Sequence, residues 1–181
     1  MSSAERPGFT LQPGDERLTA AILSDSLDAA GLRSQVLETR LAPRSTGSRV
    51  FGRAWTARFE RSAEDRPSDP YGDAIDYISA IGPGEVAVIG TNGSNASAFW
   101  GELFSAAAIG AGAVGVITDG NLRDTDKIVG LEFPAFSNSR RPIDYRARMQ
   151  VTETGGTVTL CGVDISVGDI VLADDDGVVV I

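Results

Sequence analysis

The stretch that most constrains this chain is Phe99 to Lys127, FWGELFSAAAIGAGAVGVITDGNLRDTDK, in which small and apolar residues are punctuated by glycine. Helical spacing puts Leu103, Ala106, Ala107 and Ile109 to Gly110 on one packing face, and Gly110-Ala111-Gly112 ends the helix as glycines past a C-terminus do. Ala113 to Ile117 reads as a buried strand. Thr118-Asp119-Gly120-Asn121 then reads as a turn, followed by Leu122-Arg123-Asp124. A helix that returns into a strand brings the helix start, with Glu102, and the strand end, with Arg123 and Asp124, to one edge of a sheet. Open α/β sheets usually place ligands at that edge.

The rest of the chain repeats the alternation. Residues 1–13 are polar with two prolines and read as a loosely ordered arm. From Glu16 to Ala30, Leu18, Ala21, Ile22, Leu23, Leu27 and Ala30 share one helical face, and Gly31 stops the helix. Asp25 falls among its polar positions, as an exposed acid or one facing a subunit interface. A short strand is expected within 34–43 and a longer one over 48–60, with Phe51, Ala54 and Thr56 facing inward or toward a partner. A charged loop leads to a helix at about 72–81, and Gly82-Pro83-Gly84 turns into a buried strand, Glu85 to Gly90. The polar loop 91–98 opens onto the central helix, where free amides and the helix dipole suit a carboxylate or phosphate, although a plain connector fits equally well. It lacks the lysine and glycine spacing of a phosphate loop. Further strands are expected at 131–136, 147–154, 157–162, 169–173 and 178–181, with a loop at 137–144 and a Gly155-Gly156 hairpin turn. Asp174-Asp175-Asp176-Gly177 reads as a hairpin turn rather than a metal site. Strand, helix, strand in succession defines an α/β chain, and 181 residues fit one domain able to bury roughly 70% of its unfolded surface.

Composition narrows the chemistry. With 16 basic against 25 acidic residues, the formal charge of -9 argues against direct nucleic-acid binding; Arg140-Arg141 with Arg146 and Arg148 is the one basic cluster, read as a solvated face. No apolar run is long enough to span a membrane and the N-terminus lacks a signal-peptide core, so a cytoplasmic location is expected. Cys161 reads as a small buried side chain in a strand. The chain has no histidine. That leaves carboxylates, arginine, backbone amides and oxygen-ligated cations as catalytic tools.

WGELFSAAAIGAGAVGVITDGNLRD, FPAFSNSRRP and GVDISVGDIVLADDDGVVVI, together with RLTAAILSDSLDAAG and FGRAWTAR, resemble the regulator of ribonuclease activity A (RraA-like) family. That family includes the 4-hydroxy-4-methyl-2-oxoglutarate and 4-carboxy-4-hydroxy-2-oxoadipate aldolases. The resemblance covers most of the chain. It implies a compact α/β sandwich with a central mixed β-sheet, assembled as a homotrimer or dimer of trimers with sites between subunits. In the aldolases an acid precedes Arg-Asp by twenty residues and another acid follows; Glu102 and Arg123-Asp124 match, whereas Lys127 stands where the last acid is usual. Glutamate replaces the aspartate of characterised aldolases, and this sequence ends near the DDDGVVV hairpin, as the shorter regulator-like members do.

The implied roles follow from that match. Asp124 is expected to bind Mg2+ or Mn2+ directly, with Glu102 reaching the ion through a water and acting as acid or base. Arg123 and the backbone at Gly101, Leu103 and Phe104 are expected to hold the carboxylate of a 2-oxo acid substrate. Taken alone, Glu102 would be a solvated acid and Arg123-Asp124 a surface pair; the joint spacing favours catalysis. The expected activity is metal-dependent retro-aldol cleavage of a 4-hydroxy-2-oxo dicarboxylic acid to pyruvate, with oxaloacetate decarboxylation related to it. The alternatives are a non-enzymatic regulator that binds a ribonuclease, and a family member recruited to another oxo-acid-like substrate. No glycine-rich loop follows a first strand, so a methyltransferase of the usual fold is not expected. In a trimer, Phe51, Trp55 and Phe136 would be covered by partners; in a monomer they would fill the chain's own core.

Overall fold

The computed structural model describes residue 12 and residues 15–39, 41–62 and 69–181. Apart from Gln12, the expected N-terminal arm lies outside the described residues, as does most of the charged loop, 63–68. A 3-10 turn, Asp15–Arg17, precedes α1 (Ala20–Ala29), which starts later than its apolar pattern suggested because Thr19 caps it, accepting the Ile22 amide. Within α1 only Ala20 and Leu27 are buried, so the expected face is narrower than the pattern, with Ile22 and Asp25 exposed. The order continues β1 (Ala42–Pro43), β2 (Val50–Arg61), α2 (Gly72–Ser79), β3 (Glu85–Gly90), β4 (Ala98–Trp100), α3 (Glu102–Ala111), β5 (Gly115–Leu122) and α4 (Thr125–Gly130). It ends with β6 (Ala135–Arg140), β7 (Met149–Thr154), β8 (Thr157–Leu160), β9 (Val163–Ser166), β10 (Ile170–Ala173) and β11 (Val178–Val180).

The strands form a mixed nine-stranded sheet in the order β1-β6-β5-β3-β2-β10-β11, with β4 added to β5 and β7 to β2, and a separate β8-β9 ribbon. The central strands β2, β3, β5 and β6 are parallel, which requires crossovers, supplied by α2, α3 and α4. Because side chains alternate across a strand, β3 sends Ala87 and Ile89 to one core and Val86 and Val88 to the other. The first core, rich in Trp55, Phe59, Tyr77, Phe99, Trp100 and Tyr145, lies under the helices. The second joins Leu41, Val50, Ile117 and Phe136 to Val158, Leu160 and Ile165 of the ribbon. A central mixed sheet covered on both faces matches the expected sandwich.

Several local expectations are corrected. The buried face of α3 is Ser105 and Ala108, with Phe104 and Ala111 packed at its border; Leu103, Ala106, Ala107, Ile109 and Gly110 are exposed. A helix of alanines and glycines carries little periodic signal, so the sheet decided its orientation. Thr118 to Asn121 are not a turn but the second half of β5, wholly buried, because β4 and β6 pair with it on either side. The loop 91–98 does not open straight onto α3; β4 intervenes and Gly101 caps the helix. The 34–43 strand shrinks to β1 and a bridge from Val36 to Val179. The strand expected at 131–136 starts at Ala135 and takes in SNSR, half of the expected loop.

Gly155-Gly156 is a corner rather than a hairpin, since β7 pairs with β2 while β8 pairs with β9, a strand missing from the sequence reading. Cys161 is half-buried in the β8-β9 turn at a φ of 46°, not in a strand. The aspartate run does join β10 to β11, with the Asp174 amide donating to the Gly177 carbonyl. Trp55 and Phe136 are buried in the chain's own cores, which corrects the expectation that partners cover them; Phe51 is half-buried beside Leu18, Leu23 and the Arg49 guanidinium. Among the described residues, no helix is long and apolar enough to cross a membrane.

Candidate active site

Strand β4 is what assembles the site. It pairs in parallel with the end of β5, Trp100 opposite Leu122, and the Arg123 amide donates to the Trp100 carbonyl at 2.9 Å. The residues after each strand, Gly101-Glu102 and Arg123-Asp124, are thereby brought side by side. A methyl group on Gly101 would lie 2.6 Å from Asp124 Oδ2 and 3.0 Å from Arg123 Cγ, so a larger residue here would require the carboxylate to shift. The start of α3 is fixed from beneath: buried Ser105 donates to the Gly101 carbonyl at 3.0 Å and accepts from Trp100 Nε1 at 2.8 Å. Gly101 has no side chain to cap the helix, and the first helical amide bond runs from Ser105. The amides of Glu102, Leu103 and Phe104 are therefore left as donors facing the cleft end of the helix dipole.

Asp124 occupies the N-cap of α4 at φ 53° and ψ 36°, a left-handed conformation that few non-glycine residues adopt, aspartate and asparagine more often than most. Its side chain makes no cap hydrogen bond, although an aspartate there is worth about 1 kcal/mol to a helix. It turns instead toward Arg123, whose Nε lies 3.7 Å from Oδ2. Glu102, the first residue of α3, is half-buried, while Lys127 is exposed on α4.

Arg123 is held from its other end by residues that the sequence reading missed. Arg123 Nη1 lies 3.2 Å from Asp144 Oδ2, and the Tyr71 hydroxyl donates to the same oxygen at 2.6 Å. Burial alone would raise the Asp144 carboxyl; the Tyr71 hydroxyl, the Arg146 amide and the Arg123 guanidinium together outweigh it and hold the carboxyl below its ordinary value. The hydrogen bond to Asp144, with burial behind it, pushes Tyr71 up, so its hydroxyl stays protonated and donating. Tyr145 is buried against Phe59, Tyr71 and Phe104, and burial followed by the Asp144 charge raises its hydroxyl well above the ordinary value. Neither Tyr71 nor Asp144 belongs to a motif. The Ala98 to Asp144 bridge and the Ile143 carbonyl accepting from Ala98 help to bring that loop to the cleft.

The resulting cleft has a volume of 140 Å³, with Gly101, Leu103, Phe104, Arg123 and Asp124 on one wall and Tyr71, Phe99 and Tyr145 on the other. All the residues expected to act line it except Glu102, which is not among its lining residues. A larger, polar hollow of 640 Å³ opens between β2, the loop after β3 and β8. Of its lining arginines Arg58 and Arg61, the first is already engaged by the Thr157 carbonyl and Glu153. The expected basic cluster divides: Arg140 and Arg141 border Arg123 and Asp124 on one side, and Arg146 and Arg148 flank Asp144. Among the described residues no three Asp, Glu, Cys or His side chains converge as a metal cage. A divalent cation would thus depend on one direct carboxylate, with water and substrate oxygens completing its shell. Asp124 is the one carboxylate among the described residues lining the cleft, an oxygen donor of the kind that Mg2+ or Mn2+ takes.

This fold and cleft define a class. A profile of the RraA-like family, described as Aldolase/RraA, matches residues 20–180, and the chain belongs to that family. Protein DlpA of Legionella pneumophila is 29% identical over 162 residues, covering 90% of this chain but 26% of its own length, so this chain spans about a quarter of that relative. A Halalkalibacterium halodurans protein provisionally named 4-hydroxy-4-methyl-2-oxoglutarate aldolase is 28% identical over 88% of this chain and 70% of its own. The crystal structure of Streptomyces coelicolor RraAS2, described as an unusual member of the RNase ES inhibitor RraA protein family, superposes with a TM-score of 0.79 at 25% identity, covering 91% of this chain and 81% of that one.

Proposed function

We propose that this protein is a divalent-metal-dependent lyase that cleaves a 4-hydroxy-2-oxo dicarboxylic acid by retro-aldol chemistry, releasing pyruvate, and that also decarboxylates oxaloacetate. The observation that carries this reading is the Arg123-Asp124 pair set against Gly101 and the uncapped start of α3. A bound Mg2+ or Mn2+ at Asp124, with Glu102 reaching it through water, would supply Lewis-acid polarisation of the 2-oxo group. The chain's own groups do the rest. The Leu103 and Phe104 amides and the helix dipole bind the substrate's 1-carboxylate. Arg123, kept in place by Asp144 and Tyr71, offers a fixed guanidinium to the negative charge that builds on the 2-oxo oxygen as the C3–C4 bond breaks. Glu102 takes the proton of the 4-hydroxyl and returns one to C3, giving pyruvate.

The test is pyruvate release by purified protein with magnesium or manganese, from 4-hydroxy-4-methyl-2-oxoglutarate and from oxaloacetate. Release well above background from either, lost in Asp124→Ala, is the expected result. No release from both would overturn the proposal.

A homotrimer fits the same cleft. Leu103, 79% exposed at its mouth, continues into exposed Ala106, Ala107 and Gly110, an apolar helical face with no cover in the single chain. The non-enzymatic alternative, a regulator that binds a ribonuclease, draws on the formal charge of -9 and on exposed Lys127 at the last motif position. Unchanged cleavage by a purified ribonuclease assembly in the presence of excess protein would remove that alternative.

A further inference from the structure

A second hollow, of 290 Å³, has Arg123 and Asp124 in its lining as the 140 Å³ cleft does, together with the exposed Arg140 and Arg141. The two hollows share Arg123 and Asp124, so a molecule seated by its head at the start of α3 would extend past Asp124 toward Arg140 and Arg141. Their positions are set by the sheet: Arg140 ends β6 opposite Leu122, and Arg141 donates its amide to the Leu122 carbonyl at 3.0 Å. The Arg141 side chain is braced, with Nη1 donating to the Asn95 carbonyl at 2.8 Å. That bond uses one donor of five and no charge.

The electrostatics run against the rest of the molecule. A chain with 25 acidic and 16 basic residues gathers three guanidinium groups around one hollow. Among the described residues, Arg140 and Arg141 have no carboxylate within ion-pair distance, whereas Arg123 has two and Arg58 has one. The charge of Arg140 is felt by its neighbours: burial first, and the Arg140 charge second, pull the Arg44 guanidinium below its ordinary value. Arg123 is balanced by Asp124, which lines the same hollow, and by Asp144, whereas Arg140 and Arg141 carry two adjacent positive charges that a mobile anion would relieve, and the planar fork of arginine suits a carboxylate.

We propose that Arg140 and Arg141 form the subsite for the distal carboxylate of a 2-oxo acid whose head is held between α3 and Arg123. This rests on the head-group assignment of the proposed function and adds the residues that select a diacid over a monoacid. Two charge-assisted contacts predict a preference of about tenfold or more.

The test is calorimetric binding to the full chain with saturating manganese, using oxalate as a head-group probe, 2-oxoglutarate as a diacid, and 2-oxopentanoate, in which a methyl group replaces the distal carboxylate. The expected result is 2-oxoglutarate tighter than 2-oxopentanoate by about tenfold or more, with the ratio falling toward one in Arg140→Ala and partly restored in Arg140→Lys. Equal affinities in the unsubstituted protein, or an unchanged ratio in folded Arg140→Ala, would overturn the subsite while leaving the head-group reading standing, provided that oxalate binds. Failure of all three ligands to bind would overturn both.

Discussion

Asp124 concentrates the cost of the site in one residue. Its left-handed backbone and its unused capping oxygen both detract from stability, and both would be relieved by glycine, which adopts φ 53° freely. Asp124→Gly is therefore expected to melt at the same temperature or a few degrees higher, a gain of up to about 1 kcal/mol, while losing pyruvate release. A melting scan beside a turnover assay checks this; a large destabilisation would show that the carboxylate is structural. Gly101→Ala works in the opposite sense, because its methyl group would displace the Asp124 carboxylate from 2.6 Å while leaving the extended backbone of the cap unstrained. Turnover should fall by at least about tenfold with little change in melting, since alanine for glycine at a cap alters stability by about 1 kcal/mol or less.

Asp144 adds a pH signature. Its folded carboxyl lies below its unfolded value, near 3.9. The stability it contributes is thus fully present above about pH 4 and is lost as pH falls through the lower folded value. Melting temperatures measured between pH 7 and pH 2.5 should drop less steeply on the acid side in Asp144→Asn than in the unsubstituted protein.

At the scale of elements, β5 carries a polar clasp that apolar patterning does not announce. Its buried second half carries Asp119, whose carboxylate accepts from the Thr91 amide at 2.7 Å, the Thr91 hydroxyl at 2.8 Å and the Gly93 amide at 2.8 Å. That clasp fixes the loop leading to β4, and so the register that puts Gly101 beside Asp124. Asp119→Ala leaves buried donors without partners and should cost about 2–4 kcal/mol, measured by denaturant unfolding. A cost under about 1 kcal/mol would mean that water substitutes for the clasp. The same crossover depends on Gly112, the left-handed cap of α3 at φ 90°, where a methyl group would come within 2.9 Å of Pro83 Cα.

For the whole molecule, two of the three aromatic side chains expected at a subunit interface, Trp55 and Phe136, fill the chain's own cores, and α3 presents an uncovered apolar face. If this surface is where copies meet, light scattering should give three times the mass of the chain, and Leu103→Glu should shift the protein toward a monomer and reduce turnover, because the mouth of the cleft would lose its neighbouring wall. A monomeric unsubstituted protein would refute the assembly.

The sequence by itself determined the α/β alternation, the family, and the strands β2, β3 and β10-β11, which follow from local patterning; that the start of α3 lies beside Arg123-Asp124 was expected from a helix returning into the next strand, but it is the pairing of β4 with β5 that makes it so. What it left open was decided by partners distant in the chain. The orientation of α3 depended on which of its small residues met the sheet, and the extension of β5 depended on β4 and β6 supplying hydrogen bonds on both sides of a polar, turn-like segment. The support of Arg123 by Tyr71 and Asp144 depended on two loops meeting across the sheet edge. Local sequence sets periodicity and backbone preference, but burial and hydrogen-bond pairing between remote segments exist only once the tertiary structure has formed.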